Sequence, residues 1–177
     1  LADASDIGAA HVIFVPHYGP LKMPNLQPYR SQIELTGEMM VWLLRTVSDL
    51  AYAIGLELDM QPLCEEETAF LNTLEQAAFF RRSVKGHPHI KTAPHLYHVL
   101  KETGLTALRQ YSEDIGYVHL CDANGKFPTQ LTAEVKEALE ILRDANYTGW
   151  VTLTGKDAPT TADLQRGIQV LRAYIQA

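Results

Sequence analysis

The feature of this sequence that most constrains its fold is a repeated alternation of short apolar runs with longer helical patterns. Five runs have β character: residues 11–16, 56–62, 89–93, 116–121 and 149–153. Each run is followed by a stretch in which apolar residues recur at spacings of three and four. Such β-then-α units form a parallel sheet with helices packed outside it. The sequence therefore predicts an α/β fold, and nothing marks a second domain within residues 1–177.

The helical stretches have recognisable ends. Helices are predicted over residues 31–55, 71–85, 96–111, 132–145 and 161–175. Gly55 is typical of a C-terminal cap, and Thr160 or Thr161 is typical of an N-terminal cap. The segment Leu1–Gly8 resembles the interior of a helix and lacks the basic start and apolar core of a signal peptide. We therefore expect the native chain to begin upstream.

Composition excludes several classes of partner. The net charge is −6 and no basic stripe is present, so we expect no nucleic-acid partner and no anionic membrane partner. No apolar run approaches the roughly 18 residues that a membrane span needs. The two cysteines, Cys64 and Cys121, are too few for a disulfide framework. We interpret them as reduced thiols of a cytoplasmic protein.

The number of strands leaves two architectures open. A closed (β/α)₈ barrel needs eight strands, so five imply either an open sheet or a barrel with strands missing from this chain. An open flavodoxin-like sheet would place a phosphate-binding loop after the first strand. The loop that starts at His17 contains Gly19 and two prolines nearby and is not glycine-rich enough for that purpose. This alternative is therefore disfavoured.

Three segments carry a resemblance to a known family. Residues 61–73 are similar to Glu-Pro-Leu-Asn-Arg-x-Glu-Thr-x-Phe-Leu-Asn-Thr, and residues 116–124 to Gly-His-Val-His-x-x-Asp-x-Asn. Residues 147–153 are similar to the start of Tyr-x-Gly-Trp-Val-Ser-Leu-Glu, whose final Glu falls on Thr154. In order and spacing they resemble the sugar phosphate isomerase/epimerase superfamily, in particular ketose 3-epimerases. The resemblance implies one partial xylose isomerase-like TIM-barrel domain over residues 1–177. The five strands would be barrel strands four to eight, with the N-terminal strands absent.

The resemblance also implies a metal-dependent reaction. Members of this family hold one divalent ion with two Glu, one Asp and one His at the carboxyl ends of strands. The ion polarises a carbonyl and a neighbouring hydroxyl of the sugar. The two Glu stand on opposite faces of the sugar, where one removes the proton next to the carbonyl and the other returns it.

Three of the four implied ligand positions are changed in this chain. The first Glu falls on Gln61, the Asp on His95 and the second Glu on Thr154, while the His is retained as His119. An amide oxygen and an imidazole can ligate, but neither Gln61 nor Thr154 can act as a base. The implied metal set is therefore Gln61, His95 and His119. We expect it to hold Mn²⁺, Co²⁺, Zn²⁺ or Mg²⁺ weakly or not at all.

The implied substrate positions are better retained. Glu67 and His98 fall where the family has sugar-contacting residues, and with both metal Glu replaced they become the candidate catalytic groups. Asn124 falls on a further binding position. The family Arg that follows falls on Gly125, and the adjacent Lys126 could supply its charge. These residues indicate that a pocket for polyhydroxylated compounds is retained.

Each of these residues also has a purely structural interpretation. His119 lies in a buried-strand pattern, where a histidine is often only a hydrogen-bonded core residue, and Glu67 belongs to a run of exposed acidic residues. Asp122 favours a turn after the strand, and His17 is interpreted as a turn residue. Trp150 is expected to pack inside the barrel.

Two function hypotheses follow from the sequence. The first is a sugar isomerase or epimerase that acts on a sugar or sugar-like hydroxyketone with an altered metal site. The second is a non-catalytic homologue that binds a sugar-like ligand or a protein partner, which the loss of both Glu favours. A five-strand fragment would leave sheet edges and apolar helix faces exposed. We therefore expect missing N-terminal strands or a homo-oligomer to complete the barrel.

Overall fold

The computed structural model describes residues 1–175, which form seven α-helices and five strands. In chain order the elements are α1 (Ala2–Asp6), β1 (His11–Phe14), α2 (Gln32–Ala53), β2 (Glu57–Met60), α3 (Leu74–Ser83), β3 (Ile90–Thr92), α4 (Leu96–Glu102), α5 (Leu105–Gln110), β4 (Tyr117–Leu120), α6 (Ala133–Asp144), β5 (Trp150–Leu153) and α7 (Thr161–Ile175). Each of the five strands predicted from the sequence is present.

The strands follow one another in sequence order as a curved parallel layer. β1, β2 and β3 are hydrogen-bonded in parallel, and β4 and β5 form a second parallel pair. Backbone bonds join the two groups, because the amide of Gly116 donates to the carbonyl of Thr92 at 3.0 Å and that of His119 to Pro94 at 2.9 Å. The layer is five of the eight β/α units of a TIM barrel.

The two faces of this layer differ in chemistry. Leu58 and Met60 of β2 are buried against Leu44 of α2, so this face packs on the helices. Val118 and Leu120 of β4 do the same in a second apolar cluster. Because side chains alternate along a strand, the residues between them point to the inner side of the layer. That inner face carries polar groups.

Local sequence signals set where the helices begin. Ser31 and Glu34 form a reciprocal capping box at the start of α2, and Thr73 and Gln76 do so at α3. The Thr160 hydroxyl accepts a hydrogen bond from the amide of Asp163, which identifies Thr160 as the cap of α7. These caps satisfy amides that a helix start would otherwise leave without partners.

The helix predicted over residues 96–111 is interrupted. α4 ends at Glu102, and the amides of Thr103 and Gly104 both donate to the carbonyl of Val99. Gly104 has a φ of 71°, a left-handed conformation that glycine adopts without steric cost and that stops a helix. The chain restarts as α5 at Leu105, so the apolar periodicity continues across a real break.

Two further expectations have different outcomes. Trp150, expected to pack inside the barrel, is 64% exposed, so that expectation is wrong. It pairs with Tyr117 on the inner face of β5, where no strand lies beyond it within residues 1–175. Cys64 and Cys121 are both free, as predicted, and both are buried. No helix in the described part of the chain is long and apolar enough to cross a membrane.

Candidate active site

The candidate site lies where the parallel strands end. Gln61 directly follows β2, His95 follows β3 by three residues, and Thr154 directly follows β5. Backbone hydrogen bonds hold these ends in register: the amide of Gln61 donates to the carbonyl of Phe14 at 3.0 Å, and that of Thr154 to Leu120 at 2.9 Å. Active sites of TIM barrels form at this edge, since the loops after all strands meet there.

Three histidines form the centre of the site, and we call His95, His98 and His119 the histidine cluster. The ring centroids of His95 and His98 are 4.8 Å apart, and those of His95 and His119 are 5.6 Å apart. His95 and His119 also pair as a parallel β-bridge, which fixes their backbones side by side. The sequence places His98 in the first turn of α4, so one helix start supports two of the three rings.

The histidine cluster is held in the neutral form at neutral pH. Burial, together with the neighbouring His98 and His119, lowers the pKa of His95 to about 3. Burial also lowers the pKa of His98 and of His119 below the ordinary value. Neutral imidazole is the form that ligates a metal or exchanges hydrogen bonds with a sugar.

One hydrogen bond fixes the tautomer of His98. The backbone amide of Cys64 donates to Nδ1 of His98 at 3.2 Å, and both groups are buried. Nδ1 therefore carries no proton, and in the neutral ring Nε2 carries it. His98 presents an N–H donor from Nε2, which suits a sugar hydroxyl or carbonyl oxygen.

A group of metal-ligating atoms adjoins the cluster but has the wrong protonation for a metal. Ligand atoms of Cys64, Glu67 and His98 lie within 4.8 Å of one another. Burial raises the pKa of the Cys64 thiol, and the free nitrogen of His98 is the protonated one. A metal needs a thiolate and an unprotonated nitrogen. We therefore interpret this group as a hydrogen-bonding wall of the pocket.

Glu67 is accompanied by a cation that the sequence analysis missed. Lys156 Nζ lies 3.8 Å from Glu67 Oε1 and 3.6 Å from the ring centroid of Tyr97. Lys156 follows β5 by three residues, so it enters the site from the same strand as Thr154. Its position just past a strand's carboxyl end was the available signal.

The turn after β4 shows a structural role for Asp122. Its Oδ1 accepts hydrogen bonds from the amides of Asn124 and Lys126, each at 2.8 Å. Asn124 and Lys126 are exposed on that turn, and within residues 1–175 no hydrogen bond or ion pair joins their side chains to the histidine cluster. A Cβ at Gly125 would lie 3.0 Å from Lys156 Cε, so the approach of Lys156 leaves little room for a side chain there.

The donor set at the strand ends can be compared with what a metal requires. His95 and His119 offer two neutral imidazoles in adjacent positions, and Gln61 offers an amide oxygen at the end of β2. Nitrogen donors favour borderline ions such as Zn²⁺ and Co²⁺ over Mg²⁺, which prefers oxygen. The residues present therefore fit a borderline divalent ion, without a carboxylate to strengthen its binding.

The fold and this edge define the class of protein. The sequence pattern of the xylose isomerase-like TIM barrel matches residues 1–174, and the chain belongs to this family. The resemblance found in the three segments is confirmed, and the open flavodoxin-like sheet is excluded.

Individual relatives are sugar epimerases. The chain is 32% identical over 108 residues to D-psicose 3-epimerase of Enterocloster bolteae, which covers 60% of this chain and 36% of that protein. It is 26% identical over 158 residues to 3-dehydro-D-guloside 4-epimerase of Escherichia coli K12, with 86% and 59% covered. The crystal structure of 3-keto-D-glucoside 4-epimerase from E. coli superposes with a TM-score of 0.80 at 24% identity, over 96% of this chain and 66% of that one. The chain thus spans between about a third and three fifths of the curated relatives.

Proposed function

We propose that this chain forms the sugar-binding and proton-transferring side of an isomerase- or epimerase-type site for a sugar-like hydroxyketone. The observation that carries the proposal is the meeting of Glu67, His98 and Lys156 beside the histidine pair of His95 and His119 at the strand ends. Sugar epimerases among the relatives support the class of substrate.

A divalent ion at this edge would be held by His95 and His119, with the amide oxygen of Gln61 as a third donor. When bound, such an ion supplies Lewis-acid polarisation of the substrate carbonyl. Because the two imidazoles are neutral, no proton has to leave them before they ligate.

The chain's own residues provide binding and proton transfer. The Nε2–H of His98 donates to a substrate oxygen, and the ammonium of Lys156 donates to a second one. The carboxylate of Glu67 is the group that can remove a proton next to the carbonyl, since Gln61 and Thr154 cannot. Proton transfer has therefore moved from the strand ends to the loop after β2.

Exchange of substrate hydrogen with solvent deuterium tests this function directly. D-psicose and D-fructose, which the related epimerases' names and structures mention, would be incubated with the Co²⁺-loaded chain in D₂O and followed by NMR. We expect deuterium on the carbon next to the carbonyl. The exchange rate should fall at least about a hundredfold in Glu67→Gln, the range for loss of a general base. Glu65→Gln, an exposed neighbour, is the matched control.

A second candidate is a sugar-binding protein without catalysis, favoured by the replacement of both carboxylates at Gln61 and Thr154. Ligand binding without exchange in any metal-loaded form would establish it and refute the proton-transfer role of Glu67. The double variant Gln61→Glu, Thr154→Glu should raise metal affinity if the rest of the site is intact. No gain would mean that the pocket has diverged beyond these two positions.

A further inference from the structure

A second group of ionisable residues lies at the opposite end of the strands. His11 is the first residue of β1, Glu57 is the first residue of β2, and Asp59 follows on the inner face of β2. We call these three residues the floor cluster. The strand register pairs His11 with Glu57, so the side chains of two neighbouring strands project to the same side.

The floor cluster brings one nitrogen and two carboxylates together. His11 Nδ1 lies 2.9 Å from Asp59 Oδ2 and 3.4 Å from Glu57 Oε1. Ligand atoms of all three residues lie within 4.8 Å of one another. A single Nδ1 proton can make one good hydrogen bond, so the histidine leaves one of the two carboxylates largely uncompensated.

Asp59 is the residue that most needs another partner. Its side chain is 0% exposed, and its Oδ1 atom has no hydrogen-bond partner among the described residues. A buried carboxylate oxygen without a donor costs a substantial part of its hydration energy. Such an oxygen calls for an explanation, which a proton or a bound cation can supply.

The backbone is shaped to let the two carboxylates converge. A Cβ built on Gly116 would lie 2.2 Å from both Asp59 Oδ1 and Glu57 Oε1, so the two oxygens meet directly over this glycine. The nearest cation, Lys91, directs its ammonium to the carbonyl of Glu113 at 3.3 Å. Within residues 1–175 neither carboxylate has a lysine or arginine in an ion pair.

We propose that His11, Glu57 and Asp59 bind a divalent transition-metal ion at the amino-terminal end of the sheet. An ion there would contact the free Oδ1 of Asp59, neutralise both carboxylates and replace the proton on His11 Nδ1. One imidazole and two carboxylates suit Zn²⁺, Co²⁺ or Mn²⁺, whereas Ca²⁺ and Mg²⁺ prefer sites made of oxygen alone.

An ion at this position would stabilise the folded chain and would take no part in catalysis. The floor cluster is at the strand ends opposite to the histidine cluster, and that end of a TIM barrel serves stability. A bound ion ties β1 to β2 at their first residues. β1 is the outermost strand of the described layer, so it gains most from such a link. Binding that is confined to the folded state raises its stability by mass action.

The test separates this site from the candidate active site by removing one of the latter's two imidazole donors. His119→Ala is used as the parent, and Co²⁺ is titrated into the metal-free chain while visible absorption and amide NMR signals are recorded. We expect a Co²⁺ ligand-field band and broadening at Val12, Leu58 and Gly116, which adjoin the floor cluster. Glu57→Gln and Asp59→Asn in this parent should each weaken Co²⁺ binding at least about tenfold. Mg²⁺ in the same range should not compete.

Glu113→Gln is the matched control, because it removes one carboxylate charge beside the same groove without touching the cluster. Its Co²⁺ affinity should match that of the parent. Equal affinity in Glu57→Gln, equal weakening in Glu113→Gln, or broadening confined to residues near His95 would overturn the proposal. Glu57 is partly exposed, so Glu57→Gln remains a readable variant if Asp59→Asn fails to fold.

Discussion

The two ends of the strands use the same residue types in opposite ways. At the carboxyl ends, three histidines are neutral and the positions that would hold two carboxylates carry Gln61 and Thr154. At the amino ends, two carboxylates converge on one histidine with little to compensate them. By the resemblance, the candidate active site has lost carboxylates at two positions, whereas the amino ends of the strands bring two carboxylates together.

In this molecule the position of a residue along a strand does not by itself decide its chemistry. Both groups lie on the inner face of the same parallel layer, and a single ring connects them. The ring centroid of Tyr117 is 5.4 Å from that of His11 and 5.5 Å from that of His119, and both ring pairs have edge-to-face geometry. The histidine cluster and the floor cluster differ in the protonation and hydrogen-bond partners of their side chains, although both contact the ring of Tyr117.

The largest effect is expected from closing the space above Gly116. In Gly116→Ala the new Cβ would lie 2.2 Å from two carboxylate oxygens and 2.7 Å from Lys91 Cβ. The side chains of the floor cluster would therefore have to move. We expect a loss of about 3 kcal/mol in the free energy of unfolding, measured by urea denaturation. Gly37→Ala is the control: its nearest neighbour would be 3.8 Å away, and an alanine within α2 should stabilise by about 0.5–1 kcal/mol. Similar free energies of unfolding for the two variants would contradict the close approach of Gly116 to the floor cluster.

A smaller effect of opposite sign is expected from Asp59→Asn in metal-free buffer. Burial raises the pKa of Asp59 from 3.8 to about 6, so the ionised form costs stability above that pH. The shift sets an upper limit of roughly 3 kcal/mol on this cost, and it already includes the hydrogen bond from His11, which the side-chain oxygen of Asn can also accept. We expect the variant to be more stable than the parent by about 2 kcal/mol at pH 7. The gain should vanish as the pH falls from 6 to below 3.8.

Asp114→Asn provides the contrast for this measurement. Asp114 Oδ1 accepts a hydrogen bond from Arg81 Nη1 at 2.6 Å, so its charge is compensated in the folded state. This variant should lose about 1–3 kcal/mol in the free energy of unfolding. A loss of stability in Asp59→Asn as well would show that the floor carboxylate is a structural ion pair.

The histidine cluster should make the protein sensitive to acid. The pKa of His95 is about 3 in the folded chain against 6.5 for the free group, so the unfolded state binds more protons between these values. Stability contributed by neutral His95 is present above pH 6.5 and is lost as the pH falls. Between pH 6.5 and 5 the loss is roughly 2 kcal/mol.

His95→Gln should reduce that pH dependence by the same amount, as measured by urea denaturation at the two pH values. NMR of the imidazole nitrogens gives an independent reading, since His95 should remain neutral at pH 5. A His95 ring that titrates near 6.5 would refute the account of the histidine cluster as a neutral donor set.

The smallest effect concerns the ring between the two ends. Tyr117 OH lies 2.5 Å from Thr152 Oγ1 and links β4 to β5. Tyr117→Phe keeps the ring contacts but removes this bond, and we expect a loss of about 1 kcal/mol in the free energy of unfolding. Tyr29→Phe is the control, because Tyr29 is 88% exposed. A change in Co²⁺ affinity at either end would show that Tyr117 couples them.

The fold could be predicted from the sequence because its signals are local. Apolar periodicity and caps such as Ser31 and Thr73 are written within a few residues, and the five strands and most helix limits follow from them. The interruption at Gly104 could not be distinguished from an ordinary glycine within a helix, since the apolar spacing continues through it.

The candidate site was predictable only in part. His95, His98 and His119 are brought together, since each lies near the carboxyl end of a strand. The contact of Lys156 with Glu67 and Tyr97 depends on how three loops meet, which no local pattern encodes. The floor cluster could not be predicted for the same reason. From the sequence, Asp59 is only a polar residue within an apolar strand, and the register of β1 against β2 is needed to place His11 beside it.

The exposure of Trp150 has a practical consequence. The chain contains two tryptophans, and in Trp42→Phe the indole of Trp150 becomes the sole emitter on the inner face of β5. Because Trp150 is 64% exposed, its fluorescence emission should lie at the long wavelengths typical of a solvent-exposed indole. Any strand, neighbouring subunit or peptide that covers this face will shift the emission to the blue. The emission wavelength of Trp150 therefore reports whether the inner face of the barrel is covered.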